Sequence, residues 1–276
     1  MLRKLLKHEF RATGRVMLPL YLILLVSAVG VNIATRGLLE TDFVILDLLG
    51  GLLVVAFPVA IAAVCIMSVV VMVQRFYKNL LQDEGYVMLT LPVSVHQHVW
   101  SKLIVSAVWF ALTIVMIGLS VCIMAFRIDA VGAVFDLLRR MMEDVNAYYA
   151  LNGTAIALEL LVVCFLGCCA MCLHFYTALA IGHSFSGRKL AWSVVWYFIL
   201  QFAVQLIGGL LVALLNDLRV FDWLDDLWIF RYADGNFNGM AMTHFLMAGL
   251  IVCELVYGAA YYLVTTYFLQ KRLNLE

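Results

Sequence analysis

The sequence predicts an all-α membrane protein: six transmembrane helices, an N-terminal interfacial helix and amphipathic external loops. Of its 276 residues, 65% are hydrophobic and 13% charged, against about 45–50% and about 25% in soluble domains. Stretches of about 20 nearly uncharged residues recur, each long enough at about 1.5 Å per residue to cross about 30 Å of hydrocarbon. Lys and Arg crowd into alternate loops, the bias that orients inserted helices. No polar stretch is long enough for a second folded domain, so residues 1–276 read as one membrane domain.

The elements follow in order. Residues 1–15 alternate faces at helical spacing, with Leu2, Leu5, Leu6 and Phe10 on one side and Lys4, Lys7, Arg11 and Arg15 on the other. This is the pattern of a helix lying on the inner leaflet. Ala28-Val29-Gly30 loosely suits a signal-cleavage site, but the apolar run continues past it, so the first span is expected to be retained. Spans are expected at 16–34, 48–74, 103–126, 154–182, 190–215 and 244–269. One set of loops then carries Arg3, Lys4, Lys7, Arg11, Arg15, Arg75, Lys78, Lys102, Arg188, Lys189, Lys271 and Arg272. The other set carries fewer cations and a surplus of aspartates. Translocation disfavours Lys and Arg, so both termini are expected in the cytoplasm, with the chain multi-pass in the plasma membrane.

In the first long external loop, Leu137, Leu138, Met141, Met142 and Val145 form an apolar line. The pairs Arg139–Glu143 and Arg140–Asp144 stand at i, i+4 on the other side. The second external loop sets Phe221, Trp223, Trp228, Phe230 and Tyr232 among aspartates, an interfacial aromatic belt. These segments either lie on the outer leaflet or lid an external exit.

Several chemistries fail on their own terms. All seven cysteines fall inside spans and imply no disulfide framework. Cys164, Cys168 and Cys172 share a face, but with no second ligand cluster they read as helix packing rather than a metal site. GHSFSGRK (182–189) nearly matches G-x-x-x-x-G-K-[ST]. Arg188 and Lys189 replace the lysine and hydroxyl, and no strand precedes the loop, so it reads as a basic turn. Gly-x-Ser on the fourth span and a histidine on the sixth would resemble rhomboid-like intramembrane proteases. Ser184 and His244, however, are expected at opposite membrane faces, far beyond the about 2.6–3.2 Å that a nucleophile and base require. No catalytic motif is left, and no nucleic-acid partner is expected.

Residues 75–102, RFYKNLLQDEGYVMLTLPVSVHQHVWSK, connect the second and third spans on the cytoplasmic side. The second helix should run on through Phe76, Tyr77, Leu80 and Leu81 to a Gly85 C-cap. Pro92 forbids a continuous helix, and Ser94 with Gln97 makes a capping box that starts the third. Between them YVMLTL (86–91) is an apolar patch that would be a liability unless the membrane surface or a protein partner covers it. Phe76-Tyr77-Lys78-Asn79, Asp83-Glu84-Gly85-Tyr86, Thr90-Leu91-Pro92-Val93-Ser94 and Ser101-Lys102 resemble the ABC-2 type permeases, the membrane halves of ATP-binding cassette exporters. The basic N-terminal helix and six spans with both ends inside are similar to that family as well.

The resemblance implies a cytosolic coupling loop docked on a separate nucleotide-binding ATPase, with Asp83, Glu84, Tyr86, Met88 and Leu89 at or near the contact. It implies a dimer of permease subunits, identical or not. ATP and magnesium would be bound by the ATPase and no cofactor by this chain, and the cargo stays open. Two other readings stay open too: an ion-coupled secondary transporter, although the halves show no matching residues, and a membrane sensor or scaffold without transport.

Within the spans, Glu254 stands close to the middle of the sixth. Gln201 and Gln205 stand at similar depth on one face of the fifth, and Thr113 lies at a comparable level on the third. Glu159, near the outer end of its span, could reach the interface. Intramembrane acids normally face a cavity or a partner. Glu254 is therefore either helix glue through a glutamine amide or, with Gln201, Gln205 and Thr113, part of a translocation wall.

Overall fold

The computed structural model describes residues 2–35, 44–82, 85, 93–125, 136–137, 139–143, 153–185, 187–227, 230–231 and 238–272. Its long helices are α1 (Leu2–Ile33), α2 (Val44–Leu81), α3 (Val95–Ala125), α4 (Gly153–Gly182), α5 (Lys189–Asp217) and α7 (Gly239–Lys271), with a short α6 (Val220–Asp225) after α5. The six long ones are each apolar and long enough to cross a bilayer. With an exposed surface of Leu, Val, Ile and Phe along most of them, the chain is a multi-pass all-α membrane protein.

The helices group into two compact units, Met1–Asp136 and Leu137–Glu276, where composition alone suggested one domain. In the first, α1 packs against both α2 and α3. The basic segment expected to lie flat as a separate helix instead continues into the first span as one unbroken α1. Nothing between residues 15 and 16 breaks a helix, and the buried stripe runs through that point: Glu9, Thr13, Gly14, Met17, Tyr21, Leu24, Ala28 and Val31. That stripe, not the Leu2–Leu5–Leu6 face, is the packed one. Its apolar part meets Phe57, Val64 and Val71 of α2, with Trp109, Leu112 and Met116 of α3 alongside.

Rungs of polar contacts set the register of α1 on α3. Glu9 meets Lys102, and the Trp109 indole donates to Thr13 Oγ1 at 2.7 Å. Further along, Tyr21 O–H lies 2.8 Å from Thr113 Oγ1, and the Asn32 amide donates to the carbonyls of Ile123 and Met124, both at 3.0 Å. Partners advance together along both helices, so α1 and α3 are parallel. The α2 helix returns between them in sequence, which brings its C-terminal end to their N-terminal ends. It extends to Leu81, beyond the expected end of the span. Ser94 opens α3, its carbonyl accepting from the Gln97 N–H at 2.9 Å and its hydroxyl lying at 3.4 Å from the same nitrogen.

In the second unit α4 packs against α5 and α7. Between α4 and α5, Gly187 lies at φ 77° and Arg188 at φ 37°. Gly182 has a packing role: a Cβ on it would fall 2.5 Å from the backbone N and Cα of Ser193, besides overlapping its hydroxyl. Beside it His183 is buried and donates Nδ1–H to the Leu179 carbonyl at 2.8 Å. Burial is the main cause that pushes its imidazole below the usual histidine range.

Gly182→Ala is therefore expected to destabilise the second unit by about 1–3 kcal/mol or more, since neither backbone can yield cheaply. Gly118→Ala, where a Cβ meets nothing within 4 Å, serves as the neutral control. Thermal unfolding of the two variants in the same detergent checks it, and equal midpoints would refute the close approach.

Candidate functional site

Two polar constellations stand out, one in each unit. The first lies at the roots of the segment joining α2 and α3. Lys102 Nζ sits 2.8 Å from Glu9 Oε1, with side chains 2% and 9% exposed, and Asn79 Nδ2 donates to the same oxygen at 3.2 Å. One carboxylate thus ties together the N-terminal ends of α1 and α3 and the C-terminal end of α2. An adjacent cavity of about 10 Å³, lined by Glu9, Ser68, Arg75, Lys102 and Ser106 among others, is about the minimum that holds one water. Phe76 and Leu80 on α2 and Ser101 on α3 are almost fully buried.

Glu9 escaped the sequence reading because it sits in a strongly basic stretch. Its one signal was its place on the Thr13–Gly14–Met17 stripe. Lys102, read as a loop cation, is instead the buried partner of Glu9. Asp83, Glu84, Tyr86, Met88 and Leu89 lie outside the described residues. The neighbours that are described, Gly85, donating its N–H to the Gln82 carbonyl at 2.7 Å, and Ser94, bracket them.

The second constellation is a largely open cavity of about 260 Å³ on the second unit, with Met171 and Gln201 among its exposed lining residues. Its walls are Gly167, Ala170, Met171 and His174 of α4; Tyr197, Gln201 and Val204 of α5; and Glu254, Tyr257 and Tyr261 of α7. Here α4 and α7 are parallel, joined by rungs at nearly constant sequence offset. Glu159 Oε1 meets His244 Nδ1 at 2.7 Å, an offset of 85. His174 Nδ1 meets Tyr261 O–H at 3.0 Å, an offset of 87, and Thr177 Oγ1 meets Thr265 Oγ1 at 2.9 Å, an offset of 88. The same offset sets Glu254 against position 167, which is glycine. A Cβ there would lie 3.7 Å from Glu254 Oε1, in ordinary contact, so the rung has a carboxylate on one side and no side chain on the other.

Further along the same helices the wall is firmly built. His174 is only 7% exposed, and its Nε2 lies 3.2 Å from the Tyr197 carbonyl. That carbonyl can only accept, so Nε2 carries a proton, while Nδ1 shares a hydrogen bond with Tyr261 O–H. The His174 ring meets those of Tyr197 and Tyr261 edge-on at 4.7 and 5.1 Å.

The residues singled out by depth are thus placed differently. Glu254 and Gln201 line one cavity, while Gln205, exposed on α5 like Gln201, is not among its lining residues. Thr113 is buried in the first unit, donating to the Trp109 carbonyl at 2.8 Å and meeting Tyr21. Among the described residues, no hydrogen bond joins Glu254 to a glutamine. His174, Tyr197, Tyr257 and Tyr261 were missed because tyrosine and histidine in a span also read as packing.

Glu159 pairs with His244, and both side chains are partly exposed. That contact ties His244 to the first turns of α4. Ser184 follows Glu159 by 25 residues, roughly 37 Å further along the helix. The Arg139–Glu143 pair forms at 2.8 Å on the surface; Leu138, Asp144, Val145, Trp228 and Tyr232 lie outside the described residues. Phe230 departs from the interfacial belt, being buried against the ring of Phe245 at 5.4 Å.

The chain matches no protein-family model, no curated protein and no solved structure. The sites therefore speak through their geometry alone.

Removing one partner of a buried ion pair leaves an uncompensated charge, at about 3–5 kcal/mol. Lys102→Met is expected to lower stability on that scale, and adding Glu9→Gln to it should restore most of the loss. Thermal unfolding of the two single variants and the double variant measures the coupling, and strictly additive effects would refute it.

Proposed function

We propose that the chain is the transmembrane subunit of an ATP-driven ABC exporter, working with a separate nucleotide-binding ATPase and a second permease subunit. What supports this reading is the root of the 82–93 segment, whose own residues resemble an ABC-2 coupling loop. The helices that bear it, α2 and α3, are clamped to each other and to α1 by Glu9, Asn79 and Lys102. A push on the segment therefore moves three helix ends as one body, as conversion of ATP hydrolysis into an inward- to outward-open change requires. The family-like residues Phe76, Asn79, Ser101 and Lys102 belong to this buried root. Asp83, Glu84, Tyr86, Met88 and Leu89 would contact the ATPase, which would hold the ATP and magnesium. Glu254 and Gln201 would belong to the cargo path in a plasma membrane.

A secondary transporter is the second reading, favoured by Glu254, a mid-span acid without a hydrogen-bonded partner among the described residues. Proton-linked flux from vesicles containing this chain alone would support it over the first.

Orientation is tested by cysteine labelling in a cysteine-free background. An impermeant thiol reagent should spare cysteines introduced at Ser94 in intact cells and modify ones introduced at Asn152. Labelling at Ser94 from outside would place the segment away from any cytoplasmic ATPase.

The docking itself is tested by purification. A nucleotide-binding subunit should co-purify with the chain, and Met88→Asp or Leu89→Asp should weaken that association and uncouple ATP hydrolysis. A buried unpaired carboxylate at the contact costs several kcal/mol, or roughly 100-fold or more in affinity. Full complex yield and coupled turnover in both variants would sink the assignment.

A further inference from the structure

We propose that the cavity between α4, α5 and α7 binds a lipophilic organic monocation, its ammonium group against Glu254 and its apolar body between the tyrosine rings and Met171. Four observations carry this. Glu254 is the rung of the α4–α7 ladder whose counterpart is glycine, and its carboxylate borders open volume. No Lys or Arg lines that volume, and both ring nitrogens of the buried His174 are engaged by Tyr261 and by the Tyr197 carbonyl rather than by Glu254, so no cationic side chain is paired with the carboxylate in the cavity wall.

Three tyrosines complete the walls, and aromatic rings beside a carboxylate are what an organic cation is drawn to. Two of them, Tyr197 and Tyr261, are braced by His174, so the wall is formed before a ligand arrives. A metal ion fits poorly: among the described residues no group of three His, Cys, Asp or Glu side chains converges. The volume of about 260 Å³ is near the lower end of small-molecule sites. It suits a single ring bearing one ammonium rather than a large polycyclic drug.

That such a cation is cargo rests on the exporter reading; that it binds does not. The experiment separates the two. The full chain, without any ATPase, is placed in nanodiscs of phosphatidylcholine, which bear no net charge. Radiolabelled phenethyltrimethylammonium is the probe, and its neutral carbon isostere, (3,3-dimethylbutyl)benzene, is the competitor.

Saturable binding near one probe per chain is expected, with the isostere competing at least tenfold more weakly. Glu254→Gln should weaken binding at least tenfold, while Glu254→Asp, which keeps the charge, should hold it within about threefold. Gly167→Leu should also abolish it by filling the space without altering any charge, and Gln205→Ala, outside the cavity, should leave it unchanged.

Absence of saturable binding, equal affinity for the isostere, or unchanged binding by a monodisperse Glu254→Gln protein would each overturn the site. Binding that follows this pattern, but is never coupled to ATP-driven flux once the ATPase is added, would overturn the exporter reading and leave the site standing.

Discussion

A carboxylate and an ammonium withdrawn together from water hold one end of the first unit. Glu9 and Lys102 come from helices far apart in sequence and are nearly sealed. Isolating either charge in such a place costs several kcal/mol, so the pair is retained only as a pair. With Asn79 added, the constraint reaches three helices, and the ends of α1, α2 and α3 cannot move independently without exposing a bare charge. The rungs from Thr13 to Asn32 extend the same logic along α1 and α3.

Lipid tails are as apolar as leucine, so no hydrophobic force sorts helices from one another inside a bilayer. Hydrogen bonds and close packing have to set register, and each unit does this with a ladder between its parallel helices. In the second unit the ladder runs from Glu159–His244 through His174–Tyr261 to Thr177–Thr265. The Glu254–Gly167 level alone among these lacks a second polar group. A carboxylate left without a partner at mid-span is costly. A ligand that provides the missing charge would be stabilised by the same physics that closes the other rungs.

The two constellations suit different tasks. The clamp is sealed, with room for about one water, and can pass on a displacement but cannot admit a ligand. The cavity is large enough for a small molecule and is walled by rings already locked in place. The clamp and the cavity fall in separate compact units, Met1–Asp136 and Leu137–Glu276.

Hydropathy by itself determined the six spans and the fold class, because a backbone in hydrocarbon can satisfy its hydrogen bonds only within a helix. Local chemistry also placed the Ser94 start of α3 and carried α2 on through Leu81, although toward a Gly85 cap that lies beyond the observed helix end at Leu81, since caps and helix periods act over a few residues. Only tertiary structure decided which polar residues meet. Glu9 and Lys102 are separated by 93 positions, and in sequence one looked like part of a basic surface and the other like a loop cation. Depth counting put Glu254, Gln201, Gln205 and Thr113 at similar levels, but depth says nothing of azimuth or of which helix lies alongside. Packing gave Glu254 and Gln201 a shared cavity and gave Thr113 to Tyr21. The His174 and tyrosine wall was equally beyond the sequence, since a ring in a span becomes a site only when neighbouring helices leave a space beside it.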